Sequence, residues 1–413
     1  MKKIELLAPL KNLKSLNAVL NKADAVYFGV ESLNMRAFSD NFKLVDLPKI
    51  VKKCHDNNIK AYLTTNVIVY ENEFDLLQKI LIEAVKAEID AVIAHDIGVI
   101  ELTKQIGLKF HISTQANISN SRSALFYESL GSERLILARE LSLDQIKHIK
   151  SSLKKAQVEV FVHGAQCTSI SGRCYFSAET CGSQEYSANR GKCVQTCRRR
   201  WKVYDDQNNE LLYDGFFFIN AKDLCMIEHV PDLVNSEVDA FKIEGRMRDS
   251  LYIEETTACY KEAIDAYFNN EYTKEKVEEW LKRLKKVYNR GFSTGFYYGL
   301  PKGSEISPSK EGNVSEYRKM HIGKVLSYFR DKKVAKILLT SGKLRLKDEI
   351  FIIGTHTDTY IRQKITSIQI KQKKNLTETP IASKNNNLVI GIKVDVPVKK
   401  NDKIYVLLKQ NEI

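Results

Sequence analysis

Over the first 250 residues, short apolar runs alternate with longer stretches whose apolar positions recur at helical spacing. The short runs lie at 4–8, 25–30, 60–65, 91–95, 109–113, 134–137, 158–163 and 240–244. They are rich in β-branched and aromatic residues and mostly continuous, as strands covered on both faces of a parallel sheet must be. Segments 13–21, 44–56, 73–87 and 141–155 read as the helices between them; the second places Leu44, Leu47, Ile50 and Val51 near helical spacing. Strand–helix alternation predicts an α/β protein, and eight strands favour a closed (β/α)8 TIM-type barrel. One miscounted strand would leave an open doubly wound sheet instead.

The alternation breaks at 164–239, a segment far longer than an ordinary strand-to-helix connection, and it holds six of the eight cysteines. Residues 1–270 are therefore read as a barrel with a Cys-rich insertion, closed by a helix over 251–268. A further amphipathic helix is expected over 273–288, with Val277, Trp280, Leu281 and Leu284 apolar, then a linker or docking loop rich in Gly, Ser, Pro and aromatics over 291–309; together they fill 271–314. From Tyr317 the period changes to two, with runs at 322–326, 334–339, 349–353, 364–370, 388–393 and 403–408. That pattern predicts a small β-barrel module over 315–413.

Charge sharpens this division. The 413 residues carry 64 Lys+Arg against 51 Asp+Glu, a net of +13. Residues 315–413 hold 21 basic and 9 acidic side chains, whereas the rest hold 43 and 42. A basic module on a near-neutral body suggests contact with a polyanion, nucleic acid first; a lysine-rich solubilising surface is the plainer alternative. A hydrophobic fraction of 43% excludes global disorder. No apolar run reaches the roughly 18 residues of a membrane span. The opening Met1-Lys2-Lys3-Ile4-Glu5 places a charge where a signal peptide needs apolar residues, so a cytoplasmic protein without membrane partners is expected. In that compartment cysteines read as metal ligands, redox groups or buried thiols.

The strongest chemical pattern is Cys167-x6-Cys174-x18-Cys193-x3-Cys197. Four thiolates satisfy an iron–sulfur cubane or a tetrahedral zinc, although the spacings depart from the two-residue gap of zinc knuckles. Gly164, Gly172 and Gly191 allow tight turns beside them, and Lys192 with Arg198, Arg199 and Arg200 supplies charge that favours thiolates. Cys225 is a substitute ligand, and Cys181 a more distant one. Cys54 and Cys259 lie on expected amphipathic helices and read as core.

Several runs resemble the collagenase-like peptidase family. They are Glu159-Val160-Phe161-Val162-His163-Gly164-Ala165-Gln166-Cys167, Ser171-Gly172-Arg173-Cys174-Tyr175-Phe176-Ser177, and Asn189-Arg190-Gly191-Lys192-Cys193-Val194-Gln195-Thr196-Cys197-Arg198. Ala221-Lys222-Asp223-Leu224-Cys225, Lys242-Ile243-Glu244-Gly245-Arg246 and the opening Glu5-Leu6-Leu7-Ala8-Pro9 extend the likeness over roughly residues 1–300. Despite the family's label, the resemblance implies an iron–sulfur protein of oxygen-independent hydroxylation. One branch acts on the wobble uridine of tRNA, with prephenate implicated, another on a cytidine of ribosomal RNA, and a third in ubiquinone synthesis. It implies a 4Fe-4S cluster on Cys167, Cys174, Cys193 and Cys197. The single barrel with a short basic module looks most like the tRNA branch, with tRNA or ribosomal RNA as the partner.

Barrel chemistry gathers at the C-terminal ends of strands. Those ends supply Asn66, His95, Gln115, Arg139, His163 and Glu244, with Arg246 just beyond and Arg36 in the loop after the second strand. His163, Glu244 and Arg246 are the catalytic candidates. Arg36, Arg139, Asn66 and Gln115 are candidates for binding a small carboxylate cosubstrate, since guanidinium groups hold carboxylates in bidentate fashion. Arg198, Arg199, Arg200 and Trp201 are expected to contact RNA, the indole by base stacking. Rim hydrogen bonds and surface ion pairs are the structural alternatives. Proteolysis lacks support, because His-Glu-x-x-His is absent and a cluster-bound Cys167 is no free nucleophile. A non-catalytic RNA-binding scaffold is the remaining alternative.

Overall fold

The computed structural model describes residues 4–170, 172–210, 220–302, 305, 312–370, 374–383 and 385–409. Met1 to Lys3, Ser171 of the second motif and most of 303–311 in the expected linker lie outside the described residues. The chain divides into two compact units, Met1–Val314 and Ser315–Ile413.

In the first unit, β1 (Glu5–Pro9), β2 (Ala25–Phe28), β3 (Lys60–Thr65), β4 (Ala91–Ala94), β5 (Phe110–Ile112), β6 (Arg134–Ile136) and β7 (Gln157–Gly164) pair in order, all parallel. A short β8 (Asp223–Cys225) follows, and then β9 (Ala240–Ile243), which pairs in parallel with both β7 and β1 and closes an eight-stranded barrel. All eight strands expected from the apolar runs are the barrel's own. Pattern reading missed β8 and β10 (Phe292–Ser293): β8, only three residues long, runs antiparallel to β7 outside the barrel and pairs with β10. Of the two expectations for 291–309, its described residues fit a docking loop: they supply β10 and send the Tyr297 hydroxyl to the Phe161 carbonyl at 2.6 Å.

Helices α1 (Leu13–Val19), α2 (Leu47–His55), α3 (Phe74–Lys86), α4 (Ile97–Gln105), α5 (Ser121–Ser129) and α6 (Leu143–Ser152) follow the first six strands. The insertion contains α7 (Phe176–Cys181), and α8 (Val230–Val234), α9 (Ser250–Phe268) and α10 (Lys274–Lys286) come later. Side chains of Asn12, Asp96, Asn120, Ser142, Asp249 and Thr273 cap the starts of α1, α4, α5, α6, α9 and α10, each accepting from a first-turn N–H. α4 and α5 escaped the sequence reading because their apolar and polar faces contrast weakly.

The barrel interior is not wholly apolar. Arg134 Nη1 donates to Glu5 at 2.7 Å and to Glu159 at 3.2 Å, and Lys242 Nζ reaches the other Glu159 oxygen at 2.7 Å. One buried and one half-buried carboxylate thus meet two buried cations. Removing one partner of such a set costs about 3–5 kcal/mol, because it strands the other charge.

The second unit is an antiparallel half-barrel sheet of β11 (Tyr317–Phe329), β12 (Val334–Leu339), β13 (Glu349–Ile353), β14 (Tyr360–Lys364), β15 (Ile368–Ile370), β16 (Lys374–Leu376), β17 (Leu388–Lys393) and β18 (Lys403–Lys409). Its spatial order is β14-β13-β18-β11-β12-β17-β15-β16. The inward positions of the two-residue period, such as Ile322, Ile337, Ile350, Ile390 and Ile404, form its core. The run expected as one strand at 364–370 is split between β14 and β15. No helix among the described residues is long and apolar enough to cross a membrane.

Candidate functional site at the barrel mouth

The insertion leaves the barrel at Gly164. Its φ is +109°, and a Cβ there would stand 2.3 Å from the Glu244 carbonyl oxygen, so only glycine lets the chain turn this close to β9. Further on, Gly191 has φ +75°, and a Cβ would lie 2.2 Å from the Asn34 carbonyl oxygen. Its own carbonyl accepts from the Ala37 N–H at 3.0 Å. The adjacent Arg190 donates to the Ile68 carbonyl and the Glu73 carboxylate and covers the Tyr70 ring at 4.6 Å. The segment carrying Cys193 and Cys197 is therefore tied to the loops after β2 and β3.

All four motif cysteines, Cys167, Cys174, Cys193 and Cys197, line one cavity of about 320 Å³. Arg36, Arg139, Arg198, Arg248 and Glu244 are among its other walls. The Cys174 N–H donates to Asn189 Oδ1 at 3.0 Å, the Val194 N–H to Ser177 Oγ at 3.1 Å, and the Gln195 N–H to Cys193 Sγ at 3.3 Å. Burial pushes the Cys197 thiol up; Arg198 opposes this, while Cys167, Cys193 and Cys174 reinforce it, as like charges sharing a space do. Among the described residues no three His, Cys, Asp or Glu side chains converge as ligands of a single ion would.

The other cysteines are not walls of this cavity. Cys181 ends α7. Cys225 is buried opposite His163, within 4.0 Å of the Tyr260 hydroxyl, and burial pushes its thiol up to about 12. Burial likewise pushes the Cys54 thiol up to about 12 and that of Cys259 well above the ordinary value.

A second, smaller cavity of about 40 Å³ shares Met35, Arg36, Arg139 and Glu244 with the first and adds Thr64, Asn66, Gln115, Lys242 and Arg246. Glu244 Oε1 accepts from Arg36 Nη2 at 3.0 Å and Nε at 3.2 Å, and Arg139 Nη2 stands 3.9 Å from Oε2. Burial would raise the Glu244 pKa, but Arg36, Arg139 and Arg246 together hold it below the usual carboxylate range. Arg246 donates to Thr64 Oγ1 at 3.2 Å, Asn34 Oδ1 at 2.8 Å and Asn41 Oδ1 at 2.6 Å; burial draws its pKa down to about 10. Arg139 donates to the Ala165 carbonyl at 2.7 Å and lies 3.8 Å over the Phe161 ring. Asn66 accepts from the Met35 N–H at 3.1 Å, and the Gln115 N–H donates to Ser113 Oγ at 3.3 Å.

Three guanidiniums thus face one carboxylate at this mouth. The Nε atoms of Arg139 and Arg246 are buried with no hydrogen-bond partner. A buried donor without an acceptor costs about 1–3 kcal/mol. An anion entering here would supply acceptors and balance the charge.

Some expected residues fall elsewhere. His163 is 1% exposed, packs with Tyr252, Tyr260 and Phe292 at ring separations of 6.0, 5.5 and 5.7 Å, and lines neither cavity. Burial drives its pKa down to about 3, so it is neutral at physiological pH and serves packing rather than acid–base catalysis. The cause is a register shift between Phe161 and His163 in the β7–β9 pairing. Simple alternation would have put His163 on the inward face with Glu159 and Phe161. His95 is drawn down to about 4 by burial and is not a cavity wall. Trp201 donates its indole N–H to the Thr196 carbonyl at 2.8 Å and packs on Phe176 at 5.4 Å, so it braces the cysteine turn. The basic run divides: Arg198 turns inward to Gln195 at 2.9 Å and to the Gln166 carbonyl, while Arg199 and Arg200 are exposed. Sequence reasoning missed Asn34, Asn41, Lys242 and Arg248 as site residues, although all four flank the chosen arginines and Glu244 in sequence.

Several curated proteins are similar to this chain. A collagenase of Porphyromonas gingivalis is 37% identical, over 99% of each chain. A tRNA hydroxylation protein of Bacillus subtilis is 32% identical over 87% of this chain and 85% of its own. A 23S rRNA 5-hydroxycytidine synthase of Escherichia coli is 32% identical over 73% of this chain but only 46% of its own. With its Cys-walled cavity set over a closed parallel barrel, and with residues 11–307 matching the family model, the chain belongs to Peptidase family U32.

Proposed function

We propose that this protein acts in RNA modification as an iron–sulfur protein, in the oxygen-independent 5-hydroxylation of the tRNA wobble uridine. The observation that carries the reading is the junction of the two cavities: four thiols around one space, joined through Arg36, Arg139 and Glu244 to a cation-rich pocket with unpartnered donors. Cys167, Cys174, Cys193 and Cys197 would hold a 4Fe-4S cluster. Four thiols lining one cavity suit a cluster bonded at several corners. A bound cluster supplies one-electron chemistry.

The chain's own residues do the rest. Arg139 and Arg246 offer their free Nε donors to a small carboxylate cosubstrate, for which prephenate is the candidate, and Arg36 orients Glu244 beside it. Asn66 and Gln115 close the same pocket. The ionised Glu244 keeps the guanidinium cluster together until the cosubstrate binds. Exposed Arg199 and Arg200 and the basic second unit hold RNA through its phosphates.

The similar tRNA hydroxylation protein supports tRNA over ribosomal RNA, because this chain spans most of its length and less than half of the rRNA synthase. The collagenase-named relative keeps proteolysis in view. Against it, Cys167 lines the cavity while His163, the nearest histidine in sequence, is buried outside it. The test is mass spectrometry of tRNA and ribosomal RNA nucleosides from cells lacking the gene. Loss of a hydroxylated uridine is expected. Loss of hydroxycytidine alone would move the function to ribosomal RNA, and no change in either would overturn it.

A further inference from the structure

The stacking role expected of Trp201 falls vacant once its indole is committed to Thr196 and Phe176. The cysteine cavity carries other candidates at its own mouth. Phe38 is one of its walls and is nevertheless 47% exposed; Met247 is another wall and is 42% exposed. Phe38 lies on the loop after β2, two residues beyond the Arg36 that pairs with Glu244. Met247 lies between Arg246 and Arg248 in the loop after β9. The Tyr186 ring is 6.3 Å from that of Phe38 and tilted by 53°, so the two rings are not stacked face to face.

This rim combines two features that one small carboxylate does not need together. Phe38 and Met247, with Met35 and Phe176 deeper in, give the cavity apolar walls. Arg36, Arg139, Arg198 and Arg248 against Glu244 give it an excess of positive charge. A pyrimidine nucleotide needs both: its base has two apolar faces that stack on aromatic or thioether groups, and its phosphates seek guanidinium groups. A base inside a helix has both faces covered by its neighbours, so one that stacks on Phe38 must be unstacked.

We propose that the Phe38–Met247 rim is the docking site for a single unstacked pyrimidine base of the RNA, with Phe38 as the stacking platform. The proposal rests on the RNA reading above. Its test is photocrosslinking of a single-stranded, uridine-rich RNA carrying one 5-bromouridine to the full-length protein, with the joined peptide identified by mass spectrometry. The crosslink is expected on the peptides containing Phe38 or Met247. Phe38→Ala should lower its yield by about 5- to 150-fold, the range for one base–aromatic stack, and Phe38→Trp should restore it. Thermal stability should stay close to wild type in both variants, because the side chain is half exposed. A crosslink at Trp201 or elsewhere, or an unchanged yield in Phe38→Ala, overturns the base site while leaving RNA binding standing. Displacement of the oligonucleotide by gelatin peptides would make the rim a peptide site and overturn the proposal. Failure of the RNA to bind at low salt would overturn the RNA reading and the proposal with it.

Discussion

At the scale of single residues, the four motif cysteines are distinguished from Cys54, Cys225 and Cys259 by what surrounds them. Cys167, Cys174, Cys193 and Cys197 share a cavity with guanidinium groups, whereas Cys54, Cys225 and Cys259 are fully buried away from it. A low-dielectric burial site favours the neutral thiol and opposes metal ligation. Cys193→Ala and Cys197→Ala should therefore abolish iron and sulfide in anaerobically purified protein. Cys225→Ala and Cys54→Ala should retain both and lose about 1–2 kcal/mol of stability through small cavities. Iron loss in Cys225→Ala would identify it as a ligand, and stoichiometric zinc without iron in the wild type would remove the cluster assignment. That the four motif cysteines gather at one cavity was legible in the sequence, because spacing between cysteines survives any uncertainty about the fold. His163 was misread because counting to a strand end gives height in the barrel but not facing. Facing depends on a register shift that no apolar pattern records.

At the scale of elements, the eight barrel strands could be read in advance because each is a buried, nearly continuous apolar run. β8 and β10, of three and two residues, are too short to carry any period, and their pairing depends on the tertiary contact with β7. The glycines flanking the cysteines were legible as turns, but their purpose was not. Gly191 matters because the backbone of the β2 loop passes where a side chain would be. Gly191→Ala combines a positive φ with a 2.2 Å clash against backbone, so the segment must move away from Asn34 and Met35. A local cost of about 1–3 kcal/mol is expected. Because Ala37 and Arg190 tie only this segment to the barrel loops, the barrel should keep its melting temperature within a few degrees. Proteolysis between residues 165 and 201 should accelerate and iron retention should fall. A uniform loss of barrel stability with intact iron would show that the glycine serves the barrel and not the docking of the insertion.

At the scale of the whole molecule, the division of charge coincides with a division of structure. Of the net +13, +12 belongs to residues 315–413, and the unit boundary falls at Val314 and Ser315. The thiols and the arginine-rich pocket belong entirely to the unit with almost no net charge. Holding a large polyanion and acting on one of its bases are different physical tasks. The first needs many screened, non-specific contacts spread over a wide surface, and the second needs a few desolvated ones. Deleting residues 315–413 separates them. Single-stranded RNA binding depends on salt with a slope of about −0.7 per phosphate neutralised. Removing a surface that neutralises several phosphates should therefore flatten the plot of log affinity against log salt by two or more, and should weaken binding at low salt far more than at high salt. The truncated barrel should keep its iron, and the 5-bromouridine crosslink should still map to Phe38 or Met247 at RNA concentrations high enough to restore occupancy. A lysine-rich surface that serves solubility alone predicts the opposite result: a less soluble barrel whose affinity and salt slope match those of the full chain.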